Sequence, residues 1–260
     1  MAEGIDVTKH NGVQIIRINR PQKKNALTSV MYRELISAFD DGDADPSVSA
    51  HVVFGLKGVF CAGNDIGEFL SFAQNGGMPL EAILAFLGKL PVIEKPVVAG
   101  VDGIAVGVGV TMLRHFDLVY ASPESFFSTP FLDLGLVPEA ASSLLMPQLM
   151  GHQRAFELLV LGEPFSADRA RECGLINEIE PSSGLEERAL SAANRLARKP
   201  PEALRLARRL LLGDPKNVLD RIKLEADLFR ERLTSPEAIE AFQAFVEKRE
   251  PDFSKLTKGD

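Results

Sequence analysis

The chain has 260 residues, 45% hydrophobic and 25% charged, which is enough apolar material for one large packed domain and too much for disorder. A net charge of −7 with no long basic run argues against nucleic acid as the main partner, although local charge can still favour an anionic small ligand. Two cysteines exclude a disulfide framework, four histidines without HxH or HxxxH spacing leave no metal site, and the absence of a leader or a membrane-length apolar run predicts a cytoplasmic protein with no membrane partner.

The first elements form a hairpin. "IDVTKHNGVQIIRINRP" reads as two strands around Asn11-Gly12, ended by Pro21. "LTSVMYRELISAFDDGDADP" reads as a helix capped by Thr28, with Val30, Met31, Leu35, Ile36 and Phe39 at helical spacing. "SAHVVFGLKG" is a buried strand. "VFCAGNDIGEFLSFAQNGG" is a loop running into a short helix that Asn64 or Asp65 could cap. "LEAILAFLGKLPVIE" is a helix, "KPVVAGVDG" another buried strand, and "GIAVGVGVTMLRH" a glycine-rich helix start. The next loop, "STPFLDLGLVPEAASS", carries two carboxylates, Asp133 and Glu139.

Beyond residue 140 the pattern is almost wholly helical. "HQRAFELLVLG" is one helix and "SADRARECG" another, capped by Ser166 and stopped by Gly174. Only "LINEIE" reads as a strand. Four further helical segments follow, from "LEERALSAANRLARK" to "PEAIEAFQAFVEKRE". The fold class is α/β, with strands and helices alternating as in parallel βα units. The division expected is an α/β core over residues 1–197 and a C-terminal helical region over 198–260. Leu224, Leu228, Phe242 and Phe245 give that region more apolar face than one chain is expected to cover.

Two places repeat one arrangement of buried strand, glycine-containing loop and helix: "HVVFGLKGVFCAGNDIGEF" and "KPVVAGVDGIAVGVGVTML". Free N–H groups at a helix start favour negative charge, and glycine lets backbone approach a ligand. "GIAVGVG" is neither a dinucleotide fingerprint, lacking the later acidic residue, nor a P-loop, lacking GK[ST]. Gly103, Gly107 and Gly109 could serve only close helix–sheet packing. Two such loops on neighbouring strands could instead aim two N–H donors at one oxyanion.

The segments "RPQKKNALT", "VFCAGNDIGEF", "KPVVAGVDGIAVGVGVTMLRHFDLVYAS", "FFSTPFLDLGLVPEAASSLLMPQLMG" and "FSADRARECGLINEI", in this order, resemble the crotonase (enoyl-CoA hydratase/isomerase) superfamily. The resemblance implies a spiral of ββα units whose C-terminal helices support a homotrimer or a dimer of trimers. It implies an acyl-CoA thioester substrate and no separate cofactor, coenzyme A being part of the substrate. The backbone amides of Asn64 and Val108 would form the oxyanion hole. Lys23 and Lys24 would meet the phosphates, as ammonium groups suit them. Ala26, Ala62, Gly63, Asp65, Ile66, Gly107 and Phe131 would line the substrate and CoA site, and Lys248 would reach it from the C-terminal region.

Hydratases of that family use two glutamates, and the matching positions here are Thr111 and Phe131, neither of which can act as a base at neutral pH. "TPF…LGLVPEA" looks like the peroxisomal-type Δ3,Δ2-enoyl-CoA isomerases, in which the glutamate at the position of Glu139 is the catalytic base. Glu139 is also what a first helical turn favours for electrostatic reasons alone. Two alternatives stay open: a hydratase or other crotonase reaction using Glu139 or Asp133 with water, and an acyl-CoA-binding protein without turnover.

Overall fold

The computed structural model describes residues 4–75 and 79–255. The first three residues, the glycine pair closing "FAQNGG" and the last five residues of the C-terminal region lie outside the described residues. The chain opens with β1 (Gly4–His10) and β2 (Val13–Asn19), antiparallel and joined by Asn11-Gly12, both at positive φ as the tightest hairpin turn requires. Helix α1 (Ser29–Ala44) starts where Thr28 Oγ1 accepts the Met31 amide at 3.3 Å.

From there the chain alternates between two sheets. Strand β3 (Ala50–Phe54) enters the first sheet and β4 (Val59–Cys61) the second, followed by α2 (Ile66–Asn75) and α3 (Pro79–Lys89). Strand β5 (Val97–Val101) returns to the first sheet and β6 (Ile104–Val106) to the second, followed by α4 (Val108–Thr111) and a 3-10 turn (Met112–His115). The third circuit is β7 (Leu118–Ala121), β8 (Phe126–Ser128) and, after a loop, α5 (Ser142–Met150). Helices α6 (His152–Leu159) and α7 (Ala167–Glu172) flank β9 (Phe165–Ser166), and β10 (Glu178–Ile179) closes the first sheet. The first sheet runs β1-β2-β3-β5-β7-β10, parallel from β2 onward, and the second runs β4-β6-β8-β9. This is the spiral of strand, strand and helix that the resemblance implies.

Strand β5 reads as an unbroken apolar run, and β3 as one interrupted by the buried His51, because both their faces are covered. Val52, Phe54 and Val98 pack under α8 (Ser182–Ala197) with Leu185 and Ala189, while Val53, Val97 and Ala99 face the main core. Asn25 ties the two sheets together at one corner. It sits at φ 58°, fully buried, its amide nitrogen donating to the carbonyls of Ile18, Val59 and Phe60 and its oxygen accepting the Arg20 amide.

The structure corrects several expectations. "VFC" is a strand and not part of a loop. "GIAVGVGVTMLRH" holds a strand, one α-helical turn and a 3-10 turn where a longer helix is expected, because Gly107 at φ 55° breaks the run before Val108. Strands β8 and β9 are absent from the sequence reading: three and two residues are too short for alternation to register.

The C-terminal helices α9 (Pro201–Leu212), α10 (Lys216–Leu233) and α11 (Pro236–Glu247) fold back onto the core. Arg208 is buried on Asp117 and the Ile93 carbonyl, and Phe229 and Phe242 pack on Phe69 of α2. Phe242 is therefore core, whereas Leu224, Leu228 and Phe245 remain exposed, as do Leu210 and Leu211 of α9 at 84% and 89%. Among the described residues no helix is long and apolar enough to cross a membrane.

Candidate active site

The two strand–loop–helix units lie side by side, since β4 pairs with β6 in parallel. Their approach depends on an absent side chain. A Cβ on Gly109 would stand 2.6 Å from the Cys61 carbonyl oxygen, so only glycine lets α4 start against β4. The loop Ala62–Asp65 is in turn held by the segment after the first turn. The Leu27 amide donates to the Gly63 carbonyl at 2.8 Å and the Asp65 amide to the Leu27 carbonyl at 3.0 Å.

That two-sided bond to Leu27 turns the intervening Asn64 amide the other way, toward the cavity that Asn64 lines. Val108 is the first residue of α4, where amides have no intrahelical acceptor. Among the described residues neither the Asn64 nor the Val108 amide donates a hydrogen bond to the protein. The Asn64 side chain is engaged elsewhere, accepting from the Tyr32 hydroxyl inside the core.

These loops form one end of a cavity of about 390 Å³. Ala62, Gly63, Asn64 and Ile66 come from the first loop, Val106 and Gly107 from the second. Phe69, Phe131 and Leu136 make an apolar wall. The C-terminal helices complete it with Phe229, Ala241 and Phe245, so this region builds part of the cavity in addition to presenting an outer face. A mostly apolar concavity with a few convergent polar groups is what a small acyl ligand requires.

Glu139 is not among the residues that line the cavity. It is 3% exposed, beside α4, where the Thr111 hydroxyl donates to its Oε1 at 2.9 Å. Its Oε2 is buried without a partner among the described residues, and no cation pairs with it. Burial pushes its carboxyl from 4.5 up to about 7; the Thr111 hydroxyl pulls the other way, and the nearby Glu225 charge pushes further up. Tyr32 and Cys61 both feel the Glu139 charge in addition to their own burial, which carries the thiol up to about 12, so the carboxyl lies near the Asn64 loop. Asp133 does line the cavity.

The other expected residues divide. Ala62, Gly63, Asn64, Ile66, Gly107 and Phe131 come together at the cavity. Asp65 does not line it. One carboxylate oxygen caps α2 through the Gly67 and Glu68 amides, and the other pairs with Arg20 at 2.7 Å. Partial burial works against that carboxylate, yet the Arg20 guanidinium holds it below its ordinary value. Lys23 and Lys24 are exposed beside the first loop and Ala26 is half-buried, all three outside the cavity lining. Lys248 ends α11 in a left-handed conformation with its side chain outside the cavity, and the neighbouring Arg249, paired with Glu240 and Glu247, lines it instead. No group of three or more His, Cys, Asp or Glu side chains among the described residues is placed to hold a metal ion.

Comparisons with known proteins bear on the family and the fold. The family described as Enoyl-CoA hydratase/isomerase matches residues 8–256. Enoyl-CoA delta isomerase 2 of Rattus norvegicus is 36% identical over 255 residues, which is 95% of this chain and 64% of the rat protein's length. This chain thus spans less than two thirds of that relative. The 2,3-dehydroadipyl-CoA hydratase of Escherichia coli is 29% identical over 252 residues, 95% of this chain and 97% of that protein. The crystal structure of an enoyl-CoA hydratase/isomerase from Pseudoalteromonas atlantica superposes with a TM-score of 0.90 at 36% identity, covering 96% of this chain and 99% of that one.

The buried carboxyl makes stability depend on pH. Between 4.5 and about 7 the native chain keeps a proton that the unfolded chain has released, so stability falls as pH rises through that window. Glu139→Gln removes the cost of ionising the group in place. The variant is expected to exceed wild type by about 3 kcal/mol near pH 8 and to match it near pH 4. Urea unfolding at both pH values measures this; an equal difference at both would show that the carboxyl does not titrate as a buried group.

Proposed function

Because the chain belongs to the enoyl-CoA hydratase/isomerase family, we propose that it shifts the C3=C4 double bond of a 3-enoyl-CoA thioester to C2=C3. The thioester oxygen sits between the Asn64 and Val108 amides. Glu139 removes a proton from C2; the electron pair delocalises over C2 to C4 and onto the thioester oxygen, giving a dienolate. The protonated Glu139 returns the proton to C4, and the double bond forms between C2 and C3. One base serves both steps and no water is consumed.

The observation that carries this reading is the Thr111–Glu139 hydrogen bond. Where a hydratase of the family has a glutamate, this chain has a hydroxyl that is itself bonded to Glu139. The second hydratase position is Phe131, part of the apolar wall. Glu139, with one oxygen free and its carboxyl near 7, suits a group that takes and returns a proton near neutral pH. One observation favours a second reading: Asp133 faces the cavity and could direct water in a hydration.

Incubation with 3-hexenoyl-CoA and, separately, 2-hexenoyl-CoA separates the two. Isomerisation predicts 2-enoyl product from the first and no hydroxyacyl product from the second. Glu139→Gln should lower the rate by roughly 10²–10⁴ while acyl-CoA still binds, and Asp133→Asn should change it only a few-fold. An inactive Asp133→Asn beside an active Glu139→Gln moves the base to Asp133. Binding without any turnover in wild type points to an acyl-CoA-binding protein.

The oxyanion assignment has its own test. Val108 is at the first helical position, where proline is tolerated and no internal hydrogen bond is lost. Val108→Pro should therefore fold and lose roughly 10²–10³ in rate. A folded variant with the wild-type rate removes Val108 from the site.

Self-association belongs to the same proposal. The exposed Leu210, Leu211, Leu224 and Phe245 support a trimer or a dimer of trimers formed through the C-terminal helices. Sedimentation at micromolar concentration should give a single species of at least three chains, and a monomer would overturn it.

A further inference from the structure

The chain between Glu139 and α5 adopts a conformation that its residues do not favour. Ala140 and Ala141 lie at φ 59° and 56°, and the Ser142 amide closes the turn on the Glu139 carbonyl at 2.9 Å. Two left-handed central residues in a tight turn are ordinarily Asn or Gly, and alanine is strained there. Such a turn persists when its surroundings over-determine it.

Two buried side chains do so from opposite ends of one peptide unit. His115, at the end of the 3-10 turn after α4, donates from Nε2 to the Ala140 carbonyl at 2.8 Å. Glu225, on α10, accepts the Ala141 amide at Oε2, 2.6 Å away. Its Oε1 accepts the Ser143 amide at 3.1 Å and the Ser143 hydroxyl, which in turn accepts from Arg221. The carbonyl and N–H of a trans peptide point in opposite directions, so bonds at both ends fix its plane. That plane fixes the two central residues of the turn, and with the Ser142 bond to the Glu139 carbonyl it restricts where the preceding Glu139 side chain leaves the backbone.

We infer that Glu225 and His115 are positioning residues that clamp the Ala140–Ala141 peptide and so hold the Glu139 carboxyl in place, linking the C-terminal helical region to the site. This rests on Glu139 being the base. Burial keeps His115 uncharged, with its titration moved down to about 4, which leaves a neutral imidazole to donate from Nε2 near neutral pH. The groups facing Glu139 are Thr111, Tyr32 from α1, Cys61 from β4 and Glu225; of these, Glu225 is the acidic one. Glu225 is 5% exposed and absent from the cavity lining, and both its carboxylate oxygens are engaged by Ala141 and Ser143. Its effect on the reaction therefore passes through the turn and through its charge on Glu139.

Glu225→Gln is the test, with Glu225→Asp as the milder variant that keeps the charge. The clamp predicts a fall in kcat of about 10²-fold with KM nearly unchanged, as for a reacting group displaced by about an ångström. It also predicts that the acid limb of the pH–rate profile moves to lower pH, because a like charge is removed and Glu139 becomes less confined, and that Glu225→Asp recovers part of kcat. A folded Glu225→Gln variant with wild-type kcat and an unmoved limb overturns the inference. So does parallel loss of kcat and acyl-CoA affinity with the limb unmoved, the mark of a merely structural role. Two readouts need no turnover: hydrogen exchange of the Ala141 amide in wild type, and titration of Glu139 followed by carboxyl carbon-13 shifts. A protected amide and a Glu139 titration lowered in Glu225→Gln support the clamp even if wild type fails to isomerise, a result that would refute the base assignment alone. An amide exchanging as fast as an exposed loop overturns the clamp whatever the reaction proves to be.

Discussion

A carboxylic acid buried without a cation is expensive, and much of this structure is arranged around one. Among the described residues Glu139 has a single hydrogen-bond donor and an acidic neighbour in Glu225, and it is almost fully buried. In such a setting the proton is retained until near neutral pH, where an exposed glutamate would be ionised. Proton transfer is efficient when donor and acceptor affinities are close, so the desolvation that costs stability is also what suits the group to abstract and return a proton. The turn that carries it, with two left-handed alanines, adds strain at the same place.

The spiral explains how these costs are met. Each circuit places a strand in each sheet and then a helix start, so successive circuits bring successive helix starts to one end of the molecule. The absent side chain of Gly109 lets the second start press against β4, and Asn25 ties β4 to β2, fixing the level at which both loops emerge. Helices α10 and α11 then close the cavity from outside with Phe229, Ala241 and Phe245. The region that reads in the sequence as an assembly module is thus also part of the pocket wall and the anchor of the turn next to Glu139.

Much of this was legible beforehand for identifiable reasons. The Asn11-Gly12 hairpin, the Thr28 and Ser166 caps and the Gly174 stop are local devices in which the residue itself supplies the geometry. The short strands of the second sheet were not legible, because three residues carry no periodicity and their pairing comes from circuits far apart in sequence. Asp65 illustrates the limit of a motif: position assigns it to a ligand site, while its neighbours use it as a helix cap and as the partner of Arg20.

The sequence alone determined the fold class, the family and the contest among carboxylates, since each rests on residue types at particular positions: Thr111 and Phe131 where glutamates would stand, and Glu139 after Pro138. Only the tertiary structure decided the environment of those groups. Nothing near Glu139 in the chain foretells that Thr111, 28 positions earlier, bonds its carboxyl, that His115 and Glu225 grip the following peptide, or that Arg249 and not Lys248 reaches the cavity. Solvation, orientation and proton affinity are set by whatever packs around a group. That packing is assembled from distant segments, and so it exists only once the chain has folded.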